Sequence, residues 1–365
     1  MVELAEIFRD AGAGYLQRFG DRMLPSHKRV LSNIVACRTS ALGGEMYFCP
    51  RCELERSVYH SCRDRHCPKC QGQEAERWLE KQRKLLLPCE YGFATCTLPA
   101  ELRKIARSNQ RIVYSILLRS AALALLEVAS DRHFVGGLTG VMAVLHTWTR
   151  AMIYHPHVHM LFPIGGLGEE SMSWVKPRHP RYILPDYALA KVFRENVERA
   201  FRDAGLYEKV LREVWASKRW VAHIKRVGSG EKALLYLSRY VFRIAISNER
   251  ILGYDGHRVT FKAKDQEGNI APVTLGVEEF IRRFLQHVLP KGFVKVRYFG
   301  LWASACRAKL AIARRILDDH HTAIGKKPPR TTPPGSVPRP APRCPKCGCE
   351  YDRSPVTIPR SREPP

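Results

Sequence analysis

The chain has 365 residues, 45% of them hydrophobic, and 60 Lys and Arg against 35 Asp and Glu leave a formal net charge of +25. That length accommodates more than one folded unit with a sizeable core, and the charge argues against a cationic partner and for a polyanion, nucleic acid above all. No apolar run approaches the roughly 20 residues needed to cross a bilayer. The start Met1-Val2-Glu3-Leu4-Ala5-Glu6 lacks the basic and apolar regions of a secretory signal. The expectation is a cytoplasmic protein whose twelve cysteines are thiols or metal ligands rather than disulfides.

Composition divides the chain near residues 88 and 320. Residues 1–88 hold six cysteines and many basic side chains, a zinc-binding, DNA-recognising module in the making. Two knuckles, Cys49-Pro50-Arg51-Cys52 and Cys67-Pro68-Lys69-Cys70, stand fourteen residues apart. Each can place two thiolates on one tetrahedral ion, so Cys49, Cys52, Cys67 and Cys70 are expected to hold a first structural Zn²⁺. His27, Cys37, Cys62 and His66 bracket that set and form a second candidate group. The adjacent His66 and Cys67 could exchange roles, and Cys37 and Cys62 could instead be small buried hydrophobes.

Residues 89–320 read as alternating strands and helices. Strands are expected at 91–98, 141–148, 154–162, 220–225 and 258–264. Helices are expected at 101–128, with apolar Ile105, Ile112, Ile116, Leu123 and Leu126, then at 230–240 and 277–288. The two strands around residues 141–162 look like a hairpin. The fold class is therefore α+β, an antiparallel sheet with helices on one side, preceded by the small zinc module. Residues 321–365 are rich in Pro, Lys and Arg and are expected to be disordered. Their Cys344, Cys347 and Cys349 offer three thiols with no evident fourth ligand.

Two stretches carry chemistry. In His155-Pro156-His157-Val158-His159, strand alternation puts His157 and His159 on one face, where they can share a divalent ion. His146, on the preceding strand, is the nominated third ligand, although a packed core histidine is the competing reading. An all-nitrogen site favours late first-row ions, while cellular abundance favours Mg²⁺ or Mn²⁺. In Tyr236-Leu237-Ser238-Arg239-Tyr240, helical spacing puts both tyrosines on one face. Tyrosine is a poor nucleophile unless assisted, and the metal, Lys225, Arg239 or Arg243 could assist. These three cations are also the DNA-binding candidates. Trp148, Trp220 and Tyr298 are candidate platforms for stacking bases.

On these residues the chain resembles the insertion-sequence-91 family of rolling-circle transposases, within the wider class of His-hydrophobic-His endonucleases. The resemblance covers about residues 20–315. It runs through HKRVLSNIVACRTSALGG, SCRDRHCPKCQ, VLHTWTRAMIYHPHVHMLFPIGGL, YLSRYVFRIAISNERI and FIRRFLQHVLPKGFVKVRYFGL. It implies DNA transposition in which Tyr236 and Tyr240 attack single-stranded transposon ends. Covalent phosphotyrosine would form, with His157 and His159 holding the metal and no carboxylate triad involved. A bacterial, nucleoid-associated enzyme is implied, and the family pattern leaves the third ligand open. The Cys-bearing tail and Lys262-Ala263-Lys264-Asp265, where an aromatic residue is expected, depart from it. A relaxase or replication-initiator nickase, or a non-catalytic zinc-dependent DNA-binding regulator, are the alternatives. No GxxxxGK[ST] helicase loop is present, so host replication or helicase factors would separate the strands.

Overall fold

The computed structural model of the chain describes residues 2–168, 170, 172–179, 183–217, 220–241, 245–264, 269–323, 343–351 and 356–360, with the side chains of 71–73, 239, 240 and 320–323 also outside the description. Helices α1 (Leu4–Phe19) and α2 (Pro25–Ala36) lead into a hairpin of β1 (Gly44–Cys49) and β2 (Leu54–Tyr59). Then come α3 (Gln71–Arg83), β3 (Glu90–Thr97), α4 (Arg103–Ser108), α5 (Gln110–Ser130), β4 (Gly140–Trp148) and β5 (Tyr154–Pro163). Short β6 (Gly166–Leu167) and β7 (Trp174–Val175) precede α6 (Asp186–Asp203), α7 (Arg212–Ala216), β8 (Val221–Ser229) and α8 (Gly230–Val241). The chain continues through β9 (Ile251–Tyr254), β10 (Arg258–Lys264), β11 (Ile270–Gly276), α9 (Val277–Leu285), β12 (Val296–Gly300), α10 (Arg307–Ala323) and β13 (Val356–Ile358).

The central sheet has five strands in the order β12-β4-β5-β3-β8, every neighbouring pair antiparallel. This is the expected α+β architecture, but helices cover both faces rather than one. Val141, Ala143, Leu145, Val158 and Met160 point into a core completed by α5 and α6. On the other face, Phe93, Met142, Val144 and Leu161 pack against Leu234 and Leu237 of α8, Trp78 of α3 and Leu310 of α10. Strand alternation makes this two-sided burial natural, because both parities of β4 are apolar.

The helix expected over 101–128 is two helices, broken at Asn109, where φ is −127° and ψ 45°. The buried side of α5 runs through Val113, Tyr114, Leu117, Leu118, Ala121 and Leu125, while Ile112 and Leu123 are exposed. In a helix apolar nearly all round, the sequence pattern does not say which stripe faces inward. α5 is long and apolar enough to cross a membrane by length and composition, against the expectation of no such run, and 61% of that stretch is buried within the protein core.

The N-terminal region does not stand apart. Leu4, Ile7, Phe8, Val30 and Ile34 share one core with Val259 and Phe261 of β10 and Phe280 and Phe284 of α9. The tail is not wholly outside the fold either. β13 pairs antiparallel with β1, Glu45 opposite Thr357, whereas the disorder expected for residues 324–342, 352–355 and 361–365 falls outside the described residues. Close packing demands a glycine where Gly92 faces Phe162 across β3 and β5, since a Cβ on Gly92 would overlap the Phe162 ring. Gly92→Ala is expected to cost about 1–3 kcal/mol or more through overpacking, read as a shift in the denaturant midpoint with an unchanged slope.

Candidate active site and metal centres

β4 and β5 bring three histidines together. His146 lies directly opposite His157, and Val144 opposite His159, so all three imidazoles occupy one face of the sheet. One ring nitrogen of each lies within 4.8 Å of those of the other two, and Nε2 of His157 is 3.1 Å from Nε2 of His159. His157 Nδ1 sits 2.7 Å from the His155 carbonyl oxygen. A carbonyl only accepts, so Nδ1–H donates and the neutral ring turns a lone pair on Nε2 towards its neighbours. His159 Nδ1 is 3.0 Å from Thr95 Oγ1 on β3, which leaves Nε2 for the same centre.

Burial pushes His157 down to about 4 and His159 well below the usual imidazole range. Both are therefore neutral at physiological pH, the form that ligates a metal. His146 is buried and stacks on Trp148 at 4.8 Å between centroids. His155 does not join the cluster, because Arg103 Nη2 lies 2.7 Å from its Nδ1. The donor set fits a divalent ion bound by three nitrogens with open positions for other ligands.

The tyrosine helix α8 lies over this same face. The Phe93 ring is 5.2 Å from His159 and 5.1 Å from Tyr236, so imidazole and phenol share one neighbour. Lys225, opposite Phe93 in register, holds its Nζ 4.9 Å from the centre of the Tyr236 ring. Tyr240 lies one turn further along α8; its side chain and that of Arg239 are outside the described residues, as is Arg243. Trp220 is no stacking platform: it is 6% exposed, its indole donates to the Val214 carbonyl and it packs against Phe193 and Trp215.

The cysteines group differently from expectation. Cys37, Cys62, Cys67 and Cys70 converge, with Sγ of Cys70 3.5 Å from Cys37 and 3.6 Å from Cys62. Four thiolates around a tetrahedral Zn²⁺ would stand about 3.8 Å apart, and disulfide sulfurs only about 2 Å. Cys49 and Cys52 are not part of this set; they lie at the far end of the β1–β2 hairpin, beside Cys344 and Cys347. His66 and His27 lie outside this cysteine group. His66 Nδ1 is 2.9 Å from Asp64 and its Nε2 accepts from the Leu289 N–H, so both nitrogens are engaged. His27 is buried beside Arg107 and Arg282, outside the cysteine group. Asp64, although burial opposes its ionisation, is held down to about 2 by hydrogen bonds from His66 and Asn33, which brace the loop that carries Cys62 and Cys67.

With this geometry in place, the similarities are informative. A family model described as "Putative transposase" matches residues 140–309, and one described as "Transposase zinc-binding domain" matches residues 7–98. A "Putative transposase y4qJ" of Sinorhizobium fredii is 37% identical over 337 residues, covering 86% of this chain and 84% of the relative. The chain belongs to the insertion-sequence-91 family of transposases. The "Transposase for insertion sequence element IS801" of Pseudomonas savastanoi pv. phaseolicola is 29% identical over 289 residues, 75% of this chain and 70% of that protein. No solved structure matches the chain.

The zinc-binding domain of this transposase thus spans α1 to β3 and contains the whole of the Cys37 cluster. Sequence reasoning missed Thr95 and Phe93, which back the histidines from β3. Their signal was available, since strand alternation over 91–98 puts both on one face. The terminal Cys344-Pro345-Lys346-Cys347 was legible as a weaker copy of the first knuckle, but its place against Cys49 and Cys52 was not.

Proposed function

We propose that this transposase cleaves and rejoins single-stranded DNA at transposon ends by tyrosine attack, in rolling-circle transposition. One observation carries the reading: His146, His157, His159 and Tyr236 share a single sheet face, with Phe93 against both groups. A divalent ion held by the three imidazoles would polarise the scissile phosphate and neutralise charge on its oxygens, with Mn²⁺ favoured over Mg²⁺ by nitrogen donors.

The Tyr236 oxygen attacks phosphorus, the P–O bond to the departing strand breaks, and a phosphotyrosine ester forms. The phenol proton passes to solvent, and the departing oxygen takes one up to become a free hydroxyl. The ester retains the phosphodiester energy, so the hydroxyl of another strand can reverse the step; Tyr240 would serve a second transfer. Lys225 supplies positive charge beside the attacking phenol, and Arg239 and Arg243 would add more along the strand path. In this scheme residues 1–88 recognise DNA, residues 89–320 perform the chemistry, and host replication or helicase factors open the duplex at the nucleoid.

The test is a labelled single-stranded oligonucleotide incubated with protein and Mn²⁺ or Mg²⁺, with adducts resolved under denaturing conditions. Wild-type protein is expected to form a covalent adduct that Tyr236→Phe/Tyr240→Phe loses entirely, and the single variants assign the order of attack. Absence of adduct from wild-type protein, or an equal yield from the double variant, overturns the nuclease reading in favour of zinc-dependent DNA binding without catalysis.

A further inference from the structure

The tail knuckle has a place in the fold that its position in the chain does not suggest. Cys49 and Cys347 are 298 residues apart, yet their sulfurs lie 3.6 Å from each other. With Cys52 and Cys344 they form a group in which all four sulfurs lie within 4.8 Å of one another. Such spacing is too long for any disulfide and close to the edge of a tetrahedral thiolate cage around Zn²⁺.

The two halves are built alike. Each reads Cys-Pro-basic-Cys, and the residue after the second cysteine takes a left-handed backbone, φ +51° at Glu53 and +74° at Gly348. That conformation turns the chain so that it closes around its own sulfurs. In the tail the turn is closed by the Gly348 N–H to the Cys344 carbonyl and by the Cys344 N–H to the Cys349 carbonyl, both 2.8 Å. Arg51 reaches the Cys349 sulfur at 3.8 Å, setting a positive charge beside the cage.

The apolar contacts here are too few to hold the segment. Cys49, Cys344 and Tyr351 are the buried residues of this cluster, and β13 adds three paired positions to β1. A metal ion is the interaction strong enough to offset the ordering of so short a segment.

We propose that Cys49, Cys52, Cys344 and Cys347 form a second structural zinc site, split between the two ends of the chain, that fastens the C-terminal segment to the β1–β2 hairpin of the zinc-binding domain. This site is separate from the Cys37 cluster and independent of the tyrosine chemistry. Zinc content and the thiolate-to-cobalt charge-transfer absorbance of cobalt-substituted full-length protein test it, because a histidine site contributes nothing to that absorbance. Cys344→Ser/Cys347→Ser is expected to halve the absorbance and remove one zinc. Cys49→Ser/Cys52→Ser should do the same, and the quadruple variant should lose no more than either pair alone.

Unchanged metal content in the tail variant overturns the proposal, as do losses that add across the two pairs. Wild-type protein provides a check that does not depend on any variant folding. During graded chelation, Cys49, Cys52, Cys344 and Cys347 should become reactive to an alkylating agent together. Rapid labelling of Cys344 and Cys347 in zinc-loaded protein, with Cys49 and Cys52 protected, refutes the shared ion.

Discussion

His157→Ala is expected to lower single-strand cleavage by about a hundredfold to a thousandfold, the range seen when a main source of transition-state charge stabilisation is removed. Melting temperature should move little. The Nδ1 contact of His157 is to a carbonyl in its own strand, so truncation breaks no hydrogen bond to another element except the approach of its Nε2 to His159. A variant that keeps its unfolding transition separates the loss of cleavage from loss of folding. Titration calorimetry with Mn²⁺ should show the parallel loss of a binding site. If His157→Ala cleaved as well as wild-type protein, the histidine cluster would be a packing feature and the proposed mechanism would fall. Thr95→Val provides the graded version. Thr95 sits 3.0 Å from His159 Nδ1 and orients the ring without reaching the phosphate centre. Loss of such a support costs about 10–100-fold in metal affinity or activity. Excess Mn²⁺ should therefore restore the rate in Thr95→Val but not in His157→Ala.

The second large effect concerns the Cys37 cluster. Cys67→Ser should remove one zinc and destabilise the protein severely, because a structural site of this kind contributes on the order of 10 kcal/mol of binding energy to folding. Cys67 is fully buried, and it belongs to the core that joins α1 and α2 to β10 and α9. Loosening this loop would also release Arg65 from the Phe293 carbonyl, at 2.7 Å, and His66 from the Leu289 N–H. The damage should therefore reach beyond the zinc-binding domain. Thermal unfolding with and without a chelator is the measurement: the midpoint should fall on chelation and recover when zinc is returned. Cys306→Ser is the control, since Cys306 is half-buried and lies in neither cysteine group; its midpoint should stay put.

What could be read from residues alone followed from short-range geometry. Strand alternation has a period of two, so His157 and His159 had to share a face wherever that strand went. That His146 lies opposite His157 depends on the register of the hairpin, which alternation alone does not set. Helical spacing placed Tyr236 and Tyr240 on successive turns of one face. The inward stripe of α5 was less legible, because Ile112 and Leu123 are as apolar as the residues that are buried. The α4–α5 break falls at Asn109, the N-cap of α5, and Ser108-Asn109 is a helix-start signal that the apolar pattern running through it hides.

The sequence by itself determined that paired thiols and same-face imidazoles would exist, since both depend on spacings of two or three residues that no tertiary arrangement can change. Only the tertiary structure decided which pairs met. Cys67 and Cys70 found Cys37 and Cys62, while Cys49 and Cys52 were carried by their hairpin towards Cys344 and Cys347. A CxxC knuckle specifies half of a tetrahedral cage and says nothing about the other half. The partner is set by which surfaces bury together, an energy summed over side chains hundreds of residues apart.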